Sequence, residues 1–272
     1  MPHAIWRGTI SFGLVTIPVS LLPAVQPREL TFHLLDDRDL SPIHNKRVSE
    51  ATGQEVEWEH VAKGFEVEKG RFVVVTDDDL RAANVEATQT IDVLAAVCGD
   101  EIHPELFDTP YYLQPEKAGR KAYLLLREAL KSAKRVALAK IVIRTRQHLA
   151  AIVPDGEMLL LAVLRYPDEL RKTDTLDLPG TGAAALKSAG VTDAELGLAQ
   201  QLVATISRPF DAAAPEYRDT YRDDLMALIE KKAQGAEPVA AASPEAAEPG
   251  GEVVDIVALL KRSLDEAKRA RA

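Results

Sequence analysis

Residues Arg135 to Leu164 read RVALAKIVIRTRQHLAAIVPDGEMLLLAVL, and the alternation along this stretch decides the fold class. Arg135 to Arg146 reads as an alternating strand with its cations on a single parity, and Leu149 to Val153 continues it. Pro154-Asp155-Gly156-Glu157 then makes a turn, and Met158 to Leu164 returns. Three consecutive strands with short connections form a meander, which suits an antiparallel barrel better than a parallel sheet with crossover helices. On the first strand Lys140, Arg144 and Arg146 share one parity, and Ala137, Ala139, Ile141 and Ile143 share the other. One face is therefore expected to carry cations along about 40 Å, at about 3.3 Å per residue.

Upstream, Ala122, Leu125, Leu126, Ala129 and Leu130 recur at helical spacing, predicting a helix from about Gly119 to Lys131. Helix and first strand together form the basic part of an acidic chain. Residues 117–146 hold ten Lys/Arg against Glu128 alone, whereas residues 51–100 hold four against eleven Asp/Glu, in a protein of net charge −9. Binding depends on where charge sits, so such polarity suggests one face for a polyanion; a solvated surface is the plainer alternative. Arg and Lys grip phosphate oxygens without reading bases. Tyr123 is the segment's only aromatic, so base stacking is not its mode. Backbone binding to duplex, indifferent to sequence, fits Arg120, Lys121, Lys131, Lys134, Arg135, Lys140, Arg144 and Arg146. An acidic protein partner and a nucleotide-dependent enzyme are the competing readings.

Farther out, Ile10, Phe12 and Leu14 alternate, and the apolar parity then shifts to Val15, Ile17, Val19 and Leu21. A bulge or bend near Gly13 accounts for the slip. Arg71–Val75 and Thr88–Val97 are further strands. Past an irregular stretch at 171–191, Thr192-Asp193-Ala194-Glu195 is a capping box, opening a helix striped with Leu196, Ala199, Leu202, Val203 and Ile206. A second helix runs from about Pro215 to Lys232, with Gly235 just beyond. Residues 236–251 form a Pro/Ala/Gly linker. After it Val253, Ile256, Val257, Leu260 and Leu264 line an amphipathic helix standing alone on its tether, suited to a groove on a partner. Docking on the chain's own core is the alternative.

Catalytic chemistry finds little support. The six histidines are scattered, with no His-x-x-x-His pair, and Cys98 is the only cysteine, so no zinc site is expected. A disulfide framework is excluded, which indicates a reducing, cytoplasmic setting. Gly180-Thr181-Gly182 lacks a preceding strand signal, so no nucleotide cofactor is expected. Asp77-Asp78-Asp79 reads as the acidic start of a helix rather than a calcium loop. No apolar run approaches a membrane span of about 18 residues, and no signal peptide is read at the N-terminus.

Several motifs resemble bacterial Ku, the end-binding family of non-homologous end joining. They begin with Ala4-Ile5-Trp6-Arg7-Gly8-Thr9-Ile10-Ser11-Phe12-Gly13-Leu14-Val15, Ile17-Pro18-Val19 and Lys63-Gly64-Phe65-Glu66. Phe107-Asp108-Thr109-Pro110-Tyr111-Tyr112-Leu113 and Lys121 to Leu130 follow, then Leu149-Ala150-Ala151, Leu164 to Glu169, and Tyr217-Arg218-Asp219-Thr220-Tyr221. The resemblance implies a mainly β fold with α: a β-barrel core with helical arms (1–235), the linker, and a tethered C-terminal helix (252–272). It also implies a non-catalytic homodimer closing a ring around double-stranded DNA ends, at breaks in the nucleoid, and recruitment of the multidomain ATP-dependent ligase D through the C-terminal helix. Many members of that family carry a Cys-x-x-Cys pair before the Lys-Gly-Phe/Tyr-Glu stretch. Here the region reads Val48-Ser49-Glu50-Ala51-Thr52-Gly53-Gln54-Glu55-Val56, so no metal role is expected. Nor does the sequence carry the long Lys-rich tail of some members; it closes on Lys268-Arg269-Ala270-Arg271-Ala272.

Overall fold

Strand β1 (Trp6–Phe12) and strand β2 (Val15–Pro23) pair antiparallel, with Phe12 opposite Val15 and Ile10 opposite Ile17. The parity change expected as a bulge near Gly13 is thus a complete chain reversal. Gly13 takes φ +60°, as the first central position of a type II′ hairpin turn requires. Reversal, rather than a bulge, is what puts Ile10, Ile17, Val19 and Leu21 together in the core.

The computed structural model describes residues 3–28, 30–83, 89–235 and 256–271. Their contacts gather the chain into two units, Met1–Lys172 and Thr173–Ala272. In the first unit, β3 (Lys63–Glu68) and β4 (Arg71–Val75) form a separate two-stranded sheet. Helix α1 (Asp77–Ala83) follows, started as its acidic run suggests. The Asp79 amide donates to Thr76 Oγ1 at 3.1 Å, and the Thr76 amide donates back to the Asp79 carboxylate at 2.9 Å.

Next come β5 (Thr90–Val97), β6 (Phe107–Pro115), α2 (Arg120–Ala133), β7 (Val136–Ile143), β8 (Arg146–Asp155) and β9 (Met158–Leu164). Seven strands close a barrel in the order β1-β2-β6-β9-β8-β7-β5. Seven strands cannot alternate direction all the way round, so one junction must be parallel. That junction is β1 beside β5, with Thr9 opposite Thr90. The backbones crowd there: a Cβ on Gly8 would lie 2.1 Å from the Gln89 carbonyl oxygen.

Helix α2 completes the core. It touches β2 and β8, which have β6 and β9 between them in the barrel wall, and it buries Tyr123, Leu126 and Leu130 among the interior side chains. Each such burial contributes about 1.5–3 kcal/mol. The Tyr123 hydroxyl donates to the Leu113 carbonyl at 2.9 Å and accepts from the Leu159 amide at 2.6 Å, bridging β6 and β9.

The meander is present, with one correction. The chain does not run straight from Arg135 to Arg146: it reverses at Arg144-Thr145, and Ile143 pairs with Arg146 across the turn. Strand β7 is eight residues long, about 26 Å, so it is shorter than the 40 Å stripe expected. Ala137, Ala139 and Ile141 face the core as read. Outside, Val136 and Leu138 belong to an apolar cluster with Ile102 and Leu106, so that part of the outer face is covered rather than cationic.

The second unit holds α3 (Gly182–Ser188), α4 (Asp193–Ile206), α5 (Thr220–Ala233) and α6 (Ile256–Arg271). Thr192 and Glu195 form the expected capping box on α4. Helix α5 starts later than read: Pro215–Tyr217 is a separate 3-10 turn, and Asp219 caps the helix. The irregular stretch contains α3, with no strand leading into Gly182. The linker at 236–251 lies outside the described residues. Among the described residues no helix is long and apolar enough to cross a membrane.

Candidate nucleic-acid interface

The basic segment is built on α2 and β7, both fixed in the first unit by core packing. Arg120 and Lys121 open α2, and Lys131 lies in its last turn. Lys134 ends the helix in the left-handed conformation, at φ 52°. The Arg135 amide then donates to the Leu130 carbonyl at 2.9 Å, completing a Schellman-type cap. All five side chains, Arg135 included, are exposed. Lys140 is exposed on β7, opposite Asp92 of β5 in register. Arg144 occupies the β7–β8 turn at φ 59°, also exposed.

Arg146 departs from the expectation. It does not share a strand with Lys140. It opens β8, and its guanidinium donates to the Glu169 carboxylate at 2.6 Å. The three cations read as one stripe are thus spread over a strand, a turn and the next strand, and the charge of the third is already matched. Arg127 is likewise engaged, donating to the Glu128 carboxylate at 2.9 and 2.7 Å and to the Glu157 carbonyl.

Around Arg146 lies a polar cluster that the sequence does not announce as a unit. Arg165 donates to Asp108 at 2.9 Å and to the Glu105 and Phe107 carbonyls, tying the start of β6 to the end of β9. The Tyr166 amide and then Arg146 hold the Glu169 carboxyl below its usual range. Burial, helped by Arg146, holds the half-buried His148 below the ordinary imidazole value, with Glu169 and Asp108 opposing. Each cation here has its own anion, so the cluster fastens strands and offers little net charge to a ligand. The only sequence signal is the run Arg165-Tyr166-Pro167-Asp168-Glu169, quoted above for its family likeness.

No metal-binding group of His, Cys, Asp and Glu occurs among the described residues. Where the family's cysteine pair would stand, Val48 bridges to Glu55 and Lys46 pairs with Glu55 at 2.6 Å.

The C-terminal helix does not stand alone, because α6 packs against α4. Leu264 is 7% exposed, and Val257 and Leu260 are half-buried. Ile256 and Leu259 remain 59% and 50% exposed. Val253 lies outside the described residues. On α4, Leu198, Ala199 and Leu202 are half-buried, while Val203 and Ile206, read as part of the same stripe, stay exposed.

Comparison with known proteins follows the same outline. The family described as the Ku70/Ku80 beta-barrel domain matches residues 11–196. The "Non-homologous end joining protein Ku" of Opitutus terrae is 42% identical over 265 residues, covering 97% of this chain and 92% of that protein. The protein of the same name from Pseudomonas aeruginosa is 43% identical over 265 residues, covering 97% and 88%. That of Cupriavidus necator is 42% identical over 270 residues, covering 98% and 78%.

Proposed function

The chain belongs to the Ku family, and from that premise we propose that it binds the ends of double-stranded DNA in non-homologous end joining, without reading sequence. The observation that carries this reading is the set of exposed cations on α2, on β7 and in the connections that follow each: Arg120, Lys121, Lys131, Lys134, Arg135, Lys140 and Arg144. Carried by a helix and a strand that core packing fixes, and by the connections at their ends, they suit phosphate oxygens, whose spacing is the same whatever the bases. Arg146, engaged by Glu169, has a supporting role.

In the finer form of the proposal two copies close a ring around the duplex, the core (1–235) binds DNA, and residues 252–272 recruit ligase D. The chain itself does no catalysis and works at breaks in the nucleoid. A second copy is favoured by the apolar surface that the chain leaves uncovered. Phe32, Leu34, Trp58, Phe65 and Phe72 are all more than 60% exposed, and no described side chain from 24 to 83 is buried. Monomeric proteins rarely leave so much apolar surface in water. For recruitment, Ile256 and Leu259 are the apolar positions of α6 that α4 leaves open.

The test is binding to linear duplexes of unrelated sequence across a salt series. About ten neutralised phosphates give a slope of log affinity against log salt near −9, equal for every sequence. A slope shallower than about −3, or strong preference for one sequence, would contradict the proposal.

A further inference from the structure

Where the described chain turns through the left-handed conformation at the edge of a helix or strand, it uses glycine with two exceptions. Gly13, Gly70 and Gly156 turn the hairpins β1–β2, β3–β4 and β8–β9; Gly182 opens α3; Gly190 and Gly235 follow α3 and α5. The exceptions are Lys134, which ends α2, and Arg144, which turns β7 into β8. The comparison at Arg144 is close. Gly13, Gly156 and Arg144 each hold the first of two turn residues with positive φ, where a side chain crowds its own carbonyl. Lys134 is placed where a Schellman cap ordinarily takes glycine or asparagine. Leu40, the third residue with a side chain at positive φ, lies in an exposed loop and joins no two elements.

Both exceptions are long cations, both are exposed, and they bracket the same strand. Neither has a carboxylate within ion-pair distance among the described residues. Strained backbone persists only where the surrounding structure holds it, and it clusters at binding and active sites. We infer that Lys134 and Arg144 are dedicated phosphate-contacting residues, held in strained backbone at the two ends of β7. They lie about 30 Å apart along the strand, so each meets a different stretch of duplex backbone. Lys131 and Arg135, in unstrained conformations, add general positive charge. The inference rests on the DNA-end reading above and narrows it to two fixed points.

The experiment combines thermal unfolding with binding to a linear duplex for Lys134→Gly and Arg144→Gly in the full chain. Relief of strain should raise the melting temperature by about 2–4 °C. End affinity should fall about tenfold for each variant, and the salt slope should become shallower by about 1 for each phosphate no longer neutralised. Lys134→Arg and Arg144→Lys keep the charge and should restore affinity without the gain in melting temperature. Glycine variants that bind as tightly as the parent, with the same salt slope, would overturn the inference. So would a lowered melting temperature, which would mark both positions as unstrained. Failure of the parent chain to bind linear duplex is a different outcome, and it would remove the DNA-end reading itself.

Discussion

Tyr123 shows how one side chain couples a helix to the barrel. Its ring is buried in the core, and its hydroxyl serves the Leu113 carbonyl and the Leu159 amide on neighbouring strands. Tyr123→Phe keeps the packing and leaves both backbone groups unpaired, so it should cost about 1–3 kcal/mol in denaturant unfolding. No loss of stability would show that the strands satisfy each other without it. His148 sets a pH response. Its imidazole is held below the ordinary value of 6.5 in the folded state, chiefly by burial. The unfolded chain therefore binds the extra proton first, and stability falls as pH drops below about 6.5. Glu169, held low by the Tyr166 amide and by Arg146, adds a loss of the same sign lower down, as pH falls through the carboxylate range. His148→Asn should shrink the difference in unfolding midpoint between about pH 7.5 and about pH 5.5. An unchanged difference would place the response elsewhere.

Elements are legible where local chemistry and pattern agree. Thr192 with Glu195 and the Asp77–Asp79 run each mark a helix start, and both start helices. The interior parity of Ala137, Ala139 and Ile141 is readable because one wall of a closed barrel is uniformly dry. The β7–β8 turn is not, since Arg144-Thr145 carries none of the Gly, Asn or Asp that usually mark a two-residue turn, and the polar run Arg144 to His148 can equally be read as an exposed strand. The Gly13-Leu14 turn is hidden differently: two apolar-rich strands meet there with only one glycine to mark the reversal. Strand β6 escapes because Pro110 sits inside it, at a register irregularity between Phe107 and Pro110. The docking of α6 on α4 is the less favoured of two readings of its sequence, because amphipathic spacing says that a face is covered but not by what. Leu264→Asp should free α6 from α4, seen as faster amide exchange across 256–271. Unchanged exchange would mean that this packing contributes nothing to holding the helix.

For the whole molecule, the distribution of burial is the telling feature. The barrel interior is filled by buried apolar side chains, whereas the described residues from 24 to 83 and nearly all of the second unit have no buried side chain of their own. The barrel is the packed core of the first unit, and the exposed apolar side chains of residues 24–83 are the surface that the second copy proposed above would cover. Net charge misleads only when taken over the whole chain: −9 in total coexists with a basic segment, 117–146, whose cations are mostly exposed. Deleting residues 252–272 should abolish ligase recruitment and leave loading on DNA largely intact; a truncated chain that still recruits fully would contradict the role given to that segment. In the function proposed above the duplex is entered from its end. Matched linear and covalently closed circular duplexes, compared at moderate salt, should then differ sharply. Tight binding to the linear form with negligible loading on the circle is the expected result, and equal binding to both would exclude entry from an end.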